Sequence, residues 1–256
     1  MRIHQKQKNR KGNKQYNKEE PKEIKQKRDV IKIGTWNVKS IIGKEDEIIE
    51  EMQMQNIDYL GITETTRKRK REMELNEGHW LYWSGVEQDE WGAKEVWTII
   101  VTYAPNDNER KEMKDQFYKL LQMEIDRGER NVIIMGNMNG RVGNNNEGIE
   151  RHMRQQGENT KNDNGIRLID LCVGNDLVIT NTKFMHKDIH KYTKEVHFRN
   201  EKSIIDYFIV NTENWNRVKD VRVKRNAEIG SDHATLIYNF YFQQQTTYRL
   251  FVPFIS

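Results

Sequence analysis

Apolar and polar positions alternate from Val30 to Trp36, and the alternation stops at Asn37-Val38. A period of two marks a strand with two unlike faces, so this stretch predicts a first strand followed by a loop. From Lys44 to Gln55 the period lengthens. Ile48, Ile49 and Met52 recur at helical spacing among acidic residues, which predicts an amphipathic helix. Ile57 to Ile62 is a short apolar run, a buried strand with the polar end Thr63-Glu64-Thr65. Val96 to Tyr103 is a second such run, rich in β-branched residues and stopped by Pro105. Met113, Phe117, Leu120 and Leu121 share one face of a helix over Glu109–Asp126. A strand over Asn131–Met135 opens into the loop Gly136-Asn137-Met138-Asn139-Gly140. A helix over Asn164–Gly174 carries Leu168, Leu171 and Cys172. Strands over Leu177–Thr182, Ser203–Val210, Val218–Val223 and Ala234–Phe240 complete the series.

Strands interleaved with helices predict an α/β layered domain, and such folds place their sites at polar strand ends. A length of 256 residues accommodates one large domain of this kind. Net charge is +4, but it is unevenly spread. Residues 1–29 carry eleven Lys/Arg against four Asp/Glu, whereas the rest of the chain carries thirty-two against thirty-five. The basic character therefore lies in a tail, 1–29, whose low apolar content predicts disorder and whose charge suits contact with nucleic acid or nuclear import. A second basic run is Arg67-Lys68-Arg69-Lys70-Arg71. A single cysteine, Cys172, excludes an intrachain disulfide and fits a reducing compartment, so an intracellular location, nuclear or cytoplasmic, is expected. No apolar run approaches the ~20 residues of a membrane span, so no membrane partner is expected. Residues 241–256, rich in Gln, Thr and aromatics, read as an irregular C-terminal extension.

Six polar clusters lie at or within the strands: Trp36-Asn37-Val38, Thr63-Glu64-Thr65, Tyr103-Ala104-Pro105, Gly136-Asn137-Met138-Asn139, Ile205-Asp206-Tyr207 and Gly230-Ser231-Asp232-His233. Singly, each has an ordinary explanation. Asn after a strand closes turns, Glu at a strand end is solvated, and Asp-His is surface polarity. Asp206 stands apart, because a carboxylate within the apolar stretch Ile204–Val210 is costly without a partner such as His233. In this order the clusters resemble the endonuclease/exonuclease/phosphatase superfamily, in its apurinic-type and retrotransposon-type endonuclease branch, and within it the craniofacial development protein 2-like group. The resemblance covers about residues 30–240. It rests chiefly on Ile33-Gly34-Thr35-Trp36-Asn37-Val38, Ser203-Ile204-Ile205-Asp206-Tyr207 and Ser231-Asp232-His233.

The resemblance implies a four-layer α/β sandwich and a phosphodiester hydrolase dependent on magnesium (or manganese), with DNA or another nucleic acid as partner. Such chemistry needs a metal to neutralise phosphate oxygens, a base for the attacking water and a donor for the leaving oxygen. By resemblance, Glu64, Asn37 and Asp232 belong to the metal site. His233 contacts phosphate and is oriented by Asp206, while Tyr103 and Asn139 contact phosphate oxygens. Asn137 occupies the position of the family's water-activating Asp.

Three departures bear on activity. The family's Gly-Asp-Phe-Asn is here Gly136-Asn137-Met138-Asn139, and a carboxamide does not accept a proton at neutral pH. Loss of a general base costs ~10²–10⁴ in rate. Glu64 and Tyr103 are 39 positions apart, about half the family interval. An internal deletion near 86–96 is therefore expected, leaving one sheet short of strands with an open edge. Lys194 follows Tyr192-Thr193 where the family often has Trp. The expected function is an endonuclease-like hydrolase impaired at Asn137. The alternatives are a non-catalytic nucleic-acid-binding module and a decayed retroelement-derived fragment.

Overall fold

The computed structural model describes residues 30–63, 71–74, 80–83, 95–224, 232–241 and 246–251. The tail 1–29, Glu64, the run 67–70 and Trp91 lie outside the described residues. The alternating stretch at the start forms β1 (Val30–Asn37), followed by α1 (Glu45–Gln55) and β2 (Tyr59–Thr63), which runs parallel to β1. β3 (Arg71–Glu74) and β4 (Trp80–Trp83) pair antiparallel as a separate two-stranded ladder in a region where the residue pattern predicts no element. β5 (Glu95–Tyr103), α2 (Lys111–Arg127) and β6 (Asn131–Asn137) form a parallel β-α-β unit. α3 (Asp163–Gly174), β7 (Leu177–Ile179), β8 (Lys194–Val196), β9 (Glu201–Ser203), β10 (Asp206–Asn211), β11 (Val218–Lys224), β12 (Thr235–Tyr241) and β13 (Thr246–Phe251) follow.

Two sheets carry the architecture, one in the order β11-β12-β1-β2 and one in the order β13-β5-β6-β10-β7. β6 explains the stacking. All of its residues after Asn131 are buried, so both its faces are covered. Ile133 and Met135 point to the other sheet and join Ile33, Trp97, Phe208, Tyr238 and Phe240 in the core between the sheets. Phe208 of β10 stacks on Tyr238 of β12 across that core, with ring centroids 3.8 Å apart. Val132 and Ile134 point the other way, against Phe117 and Leu121 of α2 and Leu168, Leu171 and Cys172 of α3. α1 covers the outer face of the first sheet through Ile48, packed with Trp36, Val38 and Ile41. The order helix, sheet, sheet, helices is a four-layer α/β sandwich, as the resemblance implies.

Three local expectations are corrected. Ser203–Val210 is not one strand. Ile204 N donates to Glu158 Oε1 (2.8 Å) and Ile205 N to Thr193 Oγ1 (3.0 Å), so side chains take the bonds that a ladder would use. The strand beginning at Leu177 ends at Ile179 and turns into a 3₁₀ segment, Thr180–Lys183. Residues 246–251, within the segment read as irregular, form β13 and pair parallel with β5 from Glu95 to Ile100. β5 is therefore paired on both sides, by β13 and β6, while β2, which leads into the short interval, is among the described residues the edge of its own sheet. Trp97 is fully buried between the sheets.

Candidate active site

The parallel pairs β1–β2 and β5–β6 end on the same side as the starts of β10 and β12, their antiparallel neighbours. Polar residues scattered over two hundred positions are thereby brought to one end of the sandwich. Asn37 closes β1 opposite Thr63 and is buried, its Oδ1 accepting from Lys39 N at 3.3 Å. Tyr103 closes β5 directly opposite Asn137, the last residue of β6. On its other side Asn137 faces Asp206, the first residue of β10. Gly136 makes this crowding possible. Its φ is +133°, and a Cβ there would fall 2.1 Å from Thr102 O, so no larger residue fits before Asn137.

Asn137 Oδ1 accepts from Asn139 N at 2.8 Å, an Asx turn that a carboxylate could form equally well. With that oxygen engaged, the remaining polar group of the side chain is a donor. An Asp in its place would present a second acceptor oxygen instead. Asn139, at φ +44°, donates from Nδ2 to Ala104 O (2.7 Å), and its carbonyl accepts from Asn162 and Asn164 Nδ2, each at 3.2 Å. Asn162 also caps α3, its Oδ1 accepting from Gly165 N at 2.8 Å and Arg141 N at 2.7 Å. The Asn-Asp-Asn-Gly run before an apolar periodic stretch carries that cap signal. Nothing in the sequence says that Asn162 and Asn164 reach back to Asn139.

Asp206 and His233 form a buried pair, both side chains 3% exposed, with Oδ2 and Nδ1 2.9 Å apart. With Asp206 ionised, Nδ1 carries the donated hydrogen, which fixes the ring orientation and leaves Nε2 for other partners. Thr193 braces the pair. Its Oγ1 accepts from Ile205 N and Asp206 N (3.2 Å), and its carbonyl accepts from Ala234 N (2.8 Å). Trp36 Nε1 donates to the His233 carbonyl at 3.3 Å, which ties β1 to the same point. Asp232, beside His233, lies 3.0 Å from Lys39 Nζ and 3.7 Å from Lys194 Nζ. Burial opposes its ionisation, but the ion pair with Lys39 and the nearby Lys194 and His233 outweigh it, so its carboxyl titrates below the ordinary carboxylate range. Lys39 and Thr193 carry no sequence signal, because each matters only through residues far along the chain.

The fold thus brings Asn37, Tyr103, Asn137, Asn139, Asp206, Asp232 and His233 to one end, while Glu64 lies outside the described residues. Among the described residues, no group of three or more His, Cys, Asp or Glu is placed to hold a metal ion. None of the described helices is long and apolar enough to cross a membrane.

Two facing sheets between helical layers, with a buried His-Asp pair at the strand ends, make up the α/β sandwich. In structure the chain is similar to the 3′ phosphatase NExo from Neisseria bound to product DNA hairpin, with a TM-score of 0.57 and 18% identity over 83% of this chain and 100% of that one. It is similar to an AP endonuclease from Archaeoglobus fulgidus, with a TM-score of 0.57 and 16% identity over 82% and 99%. It is also similar to the endonuclease domain of TRAS1, a telomere-specific non-LTR retrotransposon, with a TM-score of 0.53 and 13% identity over 84% and 100%. No family model matches. In sequence the chain is 30% identical over 242 residues to craniofacial development protein 2 of Bos taurus, covering 81% of this chain and 40% of the relative. It is 30% identical over 245 residues to the protein of the same name from Tragulus javanicus, covering 81% and 42%. The chain is thus a homologue of craniofacial development protein 2 and shares the α/β sandwich fold of these solved structures. It spans about two fifths of the length of those curated relatives.

Proposed function

We propose that this domain is a phosphodiester hydrolase acting on DNA, slowed by Asn137 at the position of the general base. The observation that carries the proposal is the buried His233–Asp206 pair set directly across the β6–β10 ladder from Asn137. In this reading, Asp206 holds the Nδ1 hydrogen of His233 and Nε2 faces a phosphate oxygen. Tyr103 and Asn139 donate to neighbouring oxygens. Asn137 orients the attacking water but does not take its proton. Asn37, Asp232 and Glu64 offer the oxygen ligands a hard ion takes, but Lys39 and Lys194 already engage the two oxygens of Asp232, so an ion there would share that carboxylate with them. When bound there, magnesium or manganese supplies positive charge for the phosphate oxygens.

The test is magnesium-dependent nicking of supercoiled plasmid by the wild-type chain and by Asn137→Asp, after circular dichroism has established that both fold. The proposal expects nicking from Asn137→Asp and a rate lower by ~10²–10⁴ from wild type. Equal rates would refute the impairment, and two folded but inactive proteins would refute the DNA hydrolase. A second reading, DNA binding without cleavage, is favoured by the neutral Asn137 together with the two lysines on Asp232. It expects tight binding from a variant that never nicks.

A further inference from the structure

Lys39 and Lys194 reach Asp232 from separate elements. Lys39 comes from the loop after β1, with Nζ 3.0 Å from Oδ1, and Lys194 comes from β8, with Nζ 3.7 Å from Oδ2. Two ammonium groups thus meet on one carboxylate. The group sits at the reacting end of the site, because Asp232 Oδ1 is 3.9 Å from His233 Nε2 and Lys194 bridges to His233 through its backbone. Both lysines stay open to solvent, their side chains 47% and 30% exposed. Lys39 (φ +53°) and Ser40 (φ +132°) are successive non-glycine residues at positive φ, in a loop tied by Lys39 N to Asn37 Oδ1 and by Ile42 N to Ser40 Oγ, so Lys39 is held in one place.

We propose that Lys39 and Lys194 are substrate-binding residues that hold backbone phosphates of a nucleic acid on either side of His233, with Asp232 as the carboxylate that keeps the two ammonium groups in place. This deepens the phosphodiesterase reading and rests on it. Lysine serves here as a point charge, so the contacts set affinity and position rather than base sequence.

The experiment is fluorescence anisotropy of a labelled DNA duplex with the full chain in EDTA, which prevents metal-dependent cleavage, across a series of NaCl concentrations. Lys39→Met and Lys194→Met are each expected to weaken binding several-fold at low salt. Each should reduce the slope of log K against log [NaCl] by about 0.9, and the double variant by about 1.8. Lys39→Arg should keep the wild-type slope, and Lys119→Met, on α2, should leave affinity and slope unchanged. Circular dichroism checks each fold, and if Lys39→Met is unfolded, Lys194→Met carries the test. Wild-type binding with an unchanged slope in both Met variants would overturn the proposal, leaving the lysines as counter-ions of Asp232. A folded wild type with no salt-dependent DNA binding would instead overturn the hydrolase reading, and this inference with it.

Discussion

The two sides of the ladder between β6 and β10 meet at Asn137 and Asp206, yet they are built from different chemistry. On the β10 side, a carboxylate and an imidazole are buried together and braced by Thr193 and Trp36. On the β6 side, Asn137, Asn139, Asn162 and Asn164 form a neutral network of carboxamides that bonds mainly to backbone. The contrast separates shape from charge. A turn needs only an acceptor oxygen, which Asn137 supplies to Asn139 N as well as an Asp would, so the turn itself does not require a charge at position 137. A buried charge has no neutral substitute of that kind, because either member of the His233–Asp206 pair left alone is an uncompensated polar group.

The sharpest way to break the comparison is to restore charge on the neutral side. Asn137→Asp is expected to raise plasmid nicking by ~10²–10⁴, up to about 5 kcal/mol of barrier, and to lower the urea midpoint, since it buries a second carboxylate opposite Asp206. The converse change, Asp206→Ala, should cost about 3–5 kcal/mol of stability in urea unfolding, since it strands His233 in a dry site. Thr193→Val should cost about 1–3 kcal/mol by leaving the buried N–H groups of Ile205 and Asp206 unsatisfied, while Thr193→Ser should be close to neutral by the same measurement. The smallest effect concerns Asp232. Its carboxyl is held below the ordinary range in the fold, so its contribution to stability is present above the unfolded pKa of about 3.9 and is lost as pH falls through the folded value. Asp232→Asn should therefore lower Tm slightly at neutral pH, with the difference from wild type shrinking as melting curves are recorded at successively lower pH.

Much of the fold is legible in the residue pattern, because β1, β6, α2 and α3 bury faces that recur at strand or helix spacing. The break at Ile204–Ile205 is not, since it depends on Glu158 and Thr193, which lie elsewhere in the chain. β13 is equally hidden, because its Thr-rich segment becomes a strand by joining β5 and nothing local specifies that edge. Within the site, the motif residues are visible as polar interruptions at strand ends. Lys39 and Thr193 are not, since their place follows from how two sheets are stacked.

The late position of β13 has a consequence for synthesis. β5 leaves the ribosome about 150 residues before the strand that completes its sheet. Translation proceeds from the N-terminus, and parallel pairing over such a span is slow to form. Until β13 is made, one side of β5 is an unclaimed template on which a neighbouring nascent chain can pair. Residues 246–251 thus act as the closing stitch of the domain, and the yield of native protein depends on how quickly they reach β5.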